Sequence, residues 1–170
     1  MNIGIISDTH GNILLTHQAM LIFREFNVER IIHCGDIGSV TILSQFAGTP
    51  TDFVLGNCDR SEEDFKVAVN QVAADLRAAS RVTCHGMFGH IMLAEQKIAF
   101  MHGHDLPRLD REVSSGRWDM LCYGHTHKPV LWGGCDQTVV LNPGALHHVA
   151  TPSVAVVKLP EREVIHVNLT

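Results

Sequence analysis

The chain has 170 residues, of which 45% are hydrophobic and 18% charged, and its formal net charge is −5. This composition is that of an ordinary globular protein, and it excludes a disordered or strongly basic chain. The negative charge gives no footprint for general binding of nucleic acid or of an anionic membrane, so we expect neither partner. No apolar segment approaches the ~18 residues that a membrane-spanning helix needs.

The cysteines and the N-terminus both bear on where the protein works. The five cysteines are odd in number and include no Cys-x-x-Cys pair, which argues against a disulfide framework or a structural zinc site. The N-terminus has no basic region and begins directly as a strand, so no signal peptide is predicted. We therefore expect reduced thiols in a cytoplasmic protein.

Strand and helix patterns alternate through the first part of the chain, and strands dominate the last part. Predicted strands cover residues 3–6, 28–34, 52–55, 97–101, 119–123, 130–132, 139–141, 154–159 and 164–169, with a hairpin over 81–93. Predicted helices cover residues 13–26, 39–46, 61–76 and 106–115. This order predicts an α/β fold with two packed mixed β-sheets flanked by helices, in a single domain over residues 1–170.

Five of the predicted strands run directly into side chains that can bind a metal. These side chains are Asp8 and His10, then Asp36, Asn57, His102, and finally His125 with His127. In open α/β sheets the functional side chains lie beyond the carboxyl ends of strands, and an extended backbone would point Asp8 and His10 the same way. The alternative, that each of these residues only caps or shapes a turn, requires the same coincidence at five strands in succession.

Together the seven side chains offer two carboxylates, one amide oxygen and four imidazoles. Seven donors are too many for one tetrahedral zinc ion, but they fit two divalent metals that share one bridging carboxylate. Twelve histidines in 170 residues are consistent with such a site.

The motifs that contain these residues also occur in a characteristic order. Asp-x-His, Gly-Asp, Gly-Asn-x-Asp, His-Gly-His and Gly-His-Thr-His follow one another between residues 8 and 127. In this order they resemble the calcineurin-like metallophosphoesterase superfamily, and the small size and the wording Gly-Asn-Cys-Asp are similar to its compact bacterial and archaeal phosphodiesterases. The resemblance extends from Ile3 to Gly144. It implies a metal-dependent phosphodiesterase in which a hydroxide that bridges two metals attacks a small phosphodiester or another phosphate ester.

The resemblance also implies which residue binds which metal. It places Asp8, His10 and His127 on one metal, Asn57, His102 and His125 on the other, and Asp36 as the bridge between them. Mn²⁺ is the expected metal, and Fe, Ni²⁺, Zn²⁺ or Mg²⁺ would also suit these oxygen and nitrogen donors.

The residue after Gly-Asn departs from the pattern of many superfamily members. They carry a His there, which is thought to contact phosphate and protonate the leaving oxygen, whereas this chain has Cys58. A thiol is a weak hydrogen-bond donor with an ordinary pKa of about 8.5. We therefore expect His104 to act as the catalytic acid, with Cys58 and Asp59 also in the catalytic site. The alternative for His104 is a structural hydrogen bond within its own loop.

The other histidines and the competing functions remain open at this stage. We expect His33 to orient a ligand from outside the coordination shell, and His147 and His148 to lie in an exposed loop or at a substrate rim. His17, His85, His90 and His166 are expected to be solvated or packed. A phosphomonoesterase or nucleotidase would share every metal ligand, and a eukaryotic retromer subunit has this fold but serves as a scaffold with a degraded metal site. A homo-oligomer is compatible with the sequence.

Overall fold

The strands of the protein fall into two sheets that pack face to face. The structure is a computed structural model that describes residues 1–46, 48–59, 61–75, 82–133 and 137–169, without the side chains of residues 71–75. Its strands are β1 (Asn2–Ile6), β2 (Val28–His33), β3 (Thr51–Phe53), β4 (Val82–Cys84), β5 (Phe88–Leu93), β6 (Gln96–Met101), β7 (Met120–Cys122), β8 (Val130–Trp132), β9 (Val139–Asn142), β10 (Ser153–Lys158) and β11 (Glu163–Asn168).

Each sheet combines a parallel part with antiparallel edge strands. The first sheet has the order β11-β10-β1-β2-β3-β4, in which β1 to β4 are parallel. The second has the order β5-β6-β7-β9-β8, in which β6, β7 and β9 are parallel. The predicted α/β fold with two packed mixed sheets is therefore confirmed.

Helices cover the outer faces of the two sheets. They are α1 (Ile13–Glu25), α2 (Glu62–Asp75), α3 (Leu106–Val113) and a 3₁₀ helix (Val40–Phe46). The Asn12 side chain accepts the backbone N–H of Leu15 and caps α1, because the first N–H groups of a helix have no partner within it. None of the helices in the described part of the chain has the length and apolar character that crossing a membrane requires.

The hydrophobic core has three layers that follow from this arrangement. Branched aliphatics of β1 and β2 pack between the sheets against Phe100 of β6, and all of these side chains are buried. A second layer joins the first sheet to α1, α2 and the 3₁₀ helix, with Phe23 and Phe46 among its largest members. A smaller layer lies under α3. The central strands β1, β3, β7 and β9 are buried on both faces, so it is in the adjoining loops that the chain reaches solvent.

The predicted hairpin over residues 81–93 is wrong. Val82–Cys84 forms β4 and pairs in parallel with β3 in the first sheet, whereas Phe88–Leu93 forms β5 in the second sheet; residue 81 lies outside the described residues. The hairpin is formed by β5 and β6 instead, and its two turn residues, Ala94 and Glu95, have φ values of 45° and 63° as a two-residue turn requires. Gly89, which resembled a turn residue, makes room for the Phe100 ring.

Candidate metal centre

The loops after the parallel strands are joined to each other by backbone hydrogen bonds. After β1 and β2, the N–H groups of Asp8 and His10 donate to the carbonyls of Gly35 and Asp36, each at 3.0 Å. After β6 and β7, the Gly124 N–H donates to the His102 carbonyl at 2.9 Å. These pairings align the loops within each sheet, and the hydrogen bonds from the His125 N–H to Asp8 and from His102 Nδ1 to the Cys34 carbonyl bring the two sets together at one edge of the sandwich.

The backbone at this edge is strained at the predicted ligands. Five of them have positive φ values between 42° and 65°: Asp8, His10, Asp36, His125 and His127. Residues other than glycine adopt this region at a cost of order 1–3 kcal/mol, and such residues cluster at functional sites. The expectation that an extended backbone aligns Asp8 with His10 is therefore wrong, although left-handed turns bring the two side chains together.

A first group of ligand atoms surrounds the Asp8 carboxylate. Its Oδ2 accepts the backbone N–H of His125 at 3.1 Å, which leaves Oδ1 directed at two imidazoles. Oδ1 lies 3.1 Å from His127 Nε2 and 3.9 Å from His10 Nε2, and the candidate ligand atoms of these three residues all lie within 4.8 Å of one another. That spacing suits a single ion bound by one oxygen and two nitrogens.

The Asp36 carboxylate lies between this group and His102. Its Oδ1 accepts the Cys58 backbone N–H at 2.9 Å, and its Oδ2 lies 3.6 Å from His10 Nε2 and 3.3 Å from His102 Nε2. Burial by itself would raise the pKa of Asp36, but the His102 ring and the Cys58 N–H outweigh it and hold the pKa below its ordinary value. One ionised oxygen thus faces two histidines that come from different sheets.

His102 directs its Nε2 at this centre. Its Nδ1 lies 2.9 Å from the Cys34 carbonyl oxygen, and because a carbonyl can only accept, Nδ1 carries the proton. Nε2 is the atom that faces Asp36; burial by itself would lower the pKa of His102, but the Asp36 carboxylate raises it overall, so a metal bound there would replace a proton on Nε2. A backbone carbonyl behind a histidine ligand is a common way to fix its tautomer and orientation.

The donor atoms fit a divalent metal because several of them are buried without a hydrogen bond. Asp8 Oδ1, His10 Nε2 and His102 Nε2 make none to any residue that the structure describes. A buried polar group without a partner costs about 1–3 kcal/mol, so three together in a native fold call for a ligand. Two carboxylates facing imidazole nitrogens are the donor set that divalent transition metals prefer.

Two of the seven predicted ligands, His125 and Asn57, are exposed. His125 is exposed, and its ring centroid lies 5.1 Å from that of His102. Burial and the neighbouring His102 lower the pKa of His125, so it is the neutral form that faces this group. Asn57 is also exposed, and its side-chain amide donates to Cys58 Sγ at 3.6 Å.

Comparison with known proteins identifies the family to which the chain belongs. The calcineurin-like phosphoesterase superfamily domain matches residues 1–162. The chain belongs to the calcineurin-like phosphoesterase superfamily. It is 31% identical to a phosphodiesterase of Methanocaldococcus jannaschii over 144 residues, which cover 85% of this chain and 83% of that protein.

Solved structures of this superfamily's fold agree closely with the chain. A novel archaeal phosphodiesterase superposes with a TM-score of 0.86 at 28% identity, over 99% of this chain and 100% of the other. Vacuolar protein sorting 29 of Cryptosporidium parvum superposes with a TM-score of 0.61 at 17% identity, covering 99% and 97% of the two chains. The second likeness shows the fold alone. Membership of the superfamily implies that the protein binds divalent metal ions.

His33 ties two of the ligand loops of this phosphoesterase together. Its Nδ1 accepts the Gly35 N–H at 3.2 Å, so Nε2 carries the proton and donates to Thr9 Oγ1 at 3.0 Å. Thr9 Oγ1 in turn donates to the Ile37 carbonyl at 3.1 Å. Complete burial, together with the nearby His102, lowers the pKa of His33 to about 3. A neutral imidazole therefore positions the loops that carry Asp8 and Asp36, as expected for a residue behind the ligands.

The loop with Gly56 and Cys58 is held against the loop after β2 by Asp59. The Asp59 carboxylate accepts three backbone N–H groups, from Ile37, Gly38 and Gly56, at 2.8–3.2 Å. A Cβ at Gly56 would overlap Asp36, so glycine is required for this approach. These contacts give the Asp59 carboxylate a structural role, and Asp59 also lines the cavity that Cys58 lines. The Cys58 thiol lies beside Asp36, and a side-chain hydrogen bond to that carboxylate raises the pKa of Cys58 to about 11.

Two cavities are lined by predicted ligands of the phosphoesterase centre, one by His10 and the other by His102. The larger, about 520 Å³, is lined by His10, Cys58, His147 and His148, while the smaller, about 140 Å³, is lined by His102, His104 and Arg108. His104 Nδ1 is buried and makes no hydrogen bond to a described residue, and its ring lies 5.5 Å from His102. Of the predicted catalytic residues, Cys58 and Asp59 therefore line one cavity and His104 the other.

Sequence reasoning missed one residue that supports the Gly-His-Thr-His loop. Asn142 is buried at the end of β9, and its side-chain amide donates to the Gly124 carbonyl at 2.7 Å and to Thr126 Oγ1 at 3.1 Å. Its oxygen accepts the Gly144 N–H at 2.9 Å. A polar residue directly after the apolar run at 139–141 was the available signal, but the following Pro-Gly suggested only a turn.

The remaining histidines have ordinary structural explanations. His85 Nε2 contacts Asp52 at 2.8 Å, and His166 Nε2 donates to the Asn142 carbonyl at 2.8 Å. His17 and His90 are exposed. His147 lines the larger cavity with its ring centroid 5.5 Å from that of His10.

Proposed function

We propose that the protein is a metal-dependent phosphodiesterase with two divalent metals, in cells most often Mn²⁺, in the centre around Asp36. The observation that carries this proposal is the set of three buried ligand atoms without hydrogen bonds, Asp8 Oδ1, His10 Nε2 and His102 Nε2, around two carboxylates. A protein that did not bind metal there would bear this desolvation cost without compensation. Fe, Ni²⁺, Zn²⁺ and Mg²⁺ are alternative occupants.

The proposed ligand roles follow the two sides of the centre. Asp8, His10 and His127 hold one metal and Asn57, His102 and His125 the other, with Asp36 between them. The position of Asp36 Oδ2, 3.6 Å from His10 Nε2 and 3.3 Å from His102 Nε2, supports the bridging role. Metals bound there supply Lewis acidity for the phosphoryl oxygens and lower the pKa of coordinated water so that it can attack phosphorus.

The two cavities support a diester rather than a monoester as substrate. A diester carries two organic groups, and the centre has a space of about 520 Å³ beside His10 and one of about 140 Å³ beside His102. His104 lines the smaller space, where it can donate a proton to the departing oxygen. Cys58 lines the larger space, and its thiol is a poor proton donor. We therefore propose that the leaving group occupies the side of His104.

Two alternatives share the fold. A phosphomonoesterase would use the same ligands, but a monoester has a single organic group and would leave one cavity unfilled. A scaffold with a vestigial site would not maintain three unpartnered ligand atoms and five strained ligand residues. Both alternatives are outcomes of the experiment below.

The test measures hydrolysis of bis(p-nitrophenyl) phosphate and p-nitrophenyl phosphate after chelation and after addition of Mn²⁺. We expect the diester to be the better substrate, no activity in chelator, and recovery with Mn²⁺. His127→Ala should lose activity by at least about 10–100-fold, as even supporting residues do at metal sites, while His17→Ala, an exposed histidine on α1, should retain it. Faster monoester hydrolysis would favour the monoesterase, and bound metal without hydrolysis would favour the scaffold.

The cell biology of the protein is predicted from the sequence alone. We propose a cytoplasmic location, a small phosphodiester as substrate and no general affinity for nucleic acid, while a homo-oligomer is compatible with the sequence. Light scattering of the purified chain and a salt-dependent DNA-binding assay test the last two.

A further inference from the structure

A sulfur atom lies among the donors of the centre. Cys58 Sγ, a His10 ring nitrogen and an Asp36 carboxylate oxygen all lie within 4.8 Å of one another. His10 and Asp36 also belong to the oxygen and nitrogen groups described above. The centre therefore offers a second set of ligand atoms, nitrogen, oxygen and sulfur, on the side that faces the larger cavity.

The chain holds residue 58 firmly in this position. Its backbone N–H donates to Asp36 Oδ1 at 2.9 Å, and Gly56 allows the loop to lie directly on Asp36. The Asp59 carboxylate fixes the other side of the loop through three backbone N–H groups. The backbone of residue 58 is therefore fixed beside Asp36, from which its thiol reaches the centre.

A second observation points to a ligand at this place. The Asp8 side chain is completely buried, and its Oδ1 faces His10 without a hydrogen bond to any described residue. Among the other cysteines of the described chain, Cys34 and Cys122 are buried in the core between the sheets and Cys84 is half-buried on β4. Cys58 alone among these is exposed and beside unpartnered donors.

We propose that His10, Asp36 and Cys58 form a ligand set for thiophilic divalent metals, such as Cd²⁺ and Zn²⁺, in which the cysteine binds as a thiolate. This inference rests on the proposed metal centre. As the metal–sulfur bond forms, the S–H bond breaks and its proton goes to solvent, and no electron is transferred. Soft thiolates select Zn²⁺ and similar ions, whereas Mn²⁺ and Mg²⁺ prefer oxygen donors and leave the thiol unbound.

With this ligand set, the metal that is bound would determine whether the site is open to substrate. Sulfur bound from the side of the larger cavity lies where a phosphate ester beside His10 would bind, because His10 and Cys58 line that cavity together. A thiophilic metal is then held more tightly and opposes substrate binding, while Mn²⁺ leaves the same space open.

The experiment titrates the full chain, first stripped of metal by a chelator, with Cd²⁺ and follows the ultraviolet sulfur-to-cadmium charge-transfer absorption. Wild type is compared with Cys58→Ser and with two matched controls, Cys84→Ser and Cys135→Ser; Cys135 lies outside the described residues. Elemental analysis gives the number of Cd²⁺ bound in each sample. Zinc X-ray absorption of the wild type supplies an independent measurement that needs no variant.

We expect the absorption in wild type and both controls, and its loss in Cys58→Ser. Affinity for Cd²⁺ should fall in Cys58→Ser by at least about tenfold, since even supporting partners change metal affinity by about 10–100-fold, while affinity for Mn²⁺ stays at the wild-type value. Zinc in the wild type should show a sulfur neighbour at about 2.3 Å.

Two results would overturn the inference while leaving the metal centre intact: bound Cd²⁺ without sulfur absorption, or absorption that persists in Cys58→Ser. If that variant does not fold, zinc in the wild type with only nitrogen and oxygen neighbours overturns it equally. Wild type that binds no metal at all would reject both the inference and the proposed function.

Discussion

The buried His33 should make the stability of the protein depend on pH, because its ring has to stay neutral in the folded state. Its Nδ1 accepts the Gly35 N–H and its Nε2 donates to Thr9, so protonation of Nδ1 would remove the acceptor of the Gly35 N–H within the loop after β2. Burial lowers the pKa of His33 from 6.5 to about 3. The unfolded chain therefore binds this proton first as the pH falls, and stability that is present above pH 6.5 is lost towards about pH 3.

The size of the effect follows from the shift. One pKa unit corresponds to about 1.4 kcal/mol, so the whole shift is worth about 5 kcal/mol, of which about 2 kcal/mol is lost between about pH 7 and about pH 5. His33→Gln keeps a donor for Thr9 but removes the titrating ring and the acceptor for Gly35. At neutral pH this variant should be less stable by about 1–3 kcal/mol, the cost of an unsatisfied buried N–H.

Urea denaturation at several pH values measures how the free energy of unfolding depends on pH. Excess chelator is present throughout, because it removes any contribution from pH-dependent metal release. We expect the stability difference between wild type and His33→Gln to shrink by about 2 kcal/mol from about pH 7 to about pH 5. His17→Gln, which changes an exposed histidine, should run parallel to wild type. A difference between wild type and His33→Gln that stays constant over this range would refute the buried, neutral His33.

The remaining predictions concern the proposed roles around the centre. Asp36→Asn should release both metals, and Asn57→Ala should mainly weaken one, as elemental analysis can show; full metal content in Asp36→Asn would remove it from the bridge. Asp59→Ala should lower the melting temperature and the metal affinity together, because three backbone N–H groups lose their acceptor; unchanged metal affinity would separate Asp59 from the site. With aryl and alkyl diesters, His104→Ala should steepen the dependence of rate on leaving-group pKa, since an acid contributes about 10²–10⁴-fold for basic leaving groups. If wild type is already steep and Cys58→His flattens it, His104 is not the acid.

Much of the fold was predictable because local patterns fixed it. Short apolar runs ended in glycine and polar residues at the true ends of β1, β2, β6 and β7, and helices began at recognisable caps. Strand partners were harder, since β4 has only three residues and its pairing with β3 depends on distant parts of the chain. Gly86 between β4 and β5 and Gly89 within β5 fit a hairpin equally well.

The candidate site was predictable in its residues but not in its geometry. The carboxyl ends of parallel strands had to meet, so Asp8, Asp36 and His102 were expected together. The positive φ values of Asp8 and His10 were not, because left-handed backbone at a non-glycine residue is imposed by tertiary contacts such as the hydrogen bonds to Gly35 and Asp36. The supporting role of Asn142 was hidden for the same reason, since its partners lie in another loop.

The measurement that tests the central claim most directly is an anomalous difference map from crystals of the protein grown with Mn²⁺. We predict two peaks about 3.5–4 Å apart, the spacing of two-metal sites, with the Asp36 carboxylate between them, Asp8, His10 and His127 on one side and Asn57, His102 and His125 on the other. A single peak, or two peaks that do not share Asp36, would contradict the account.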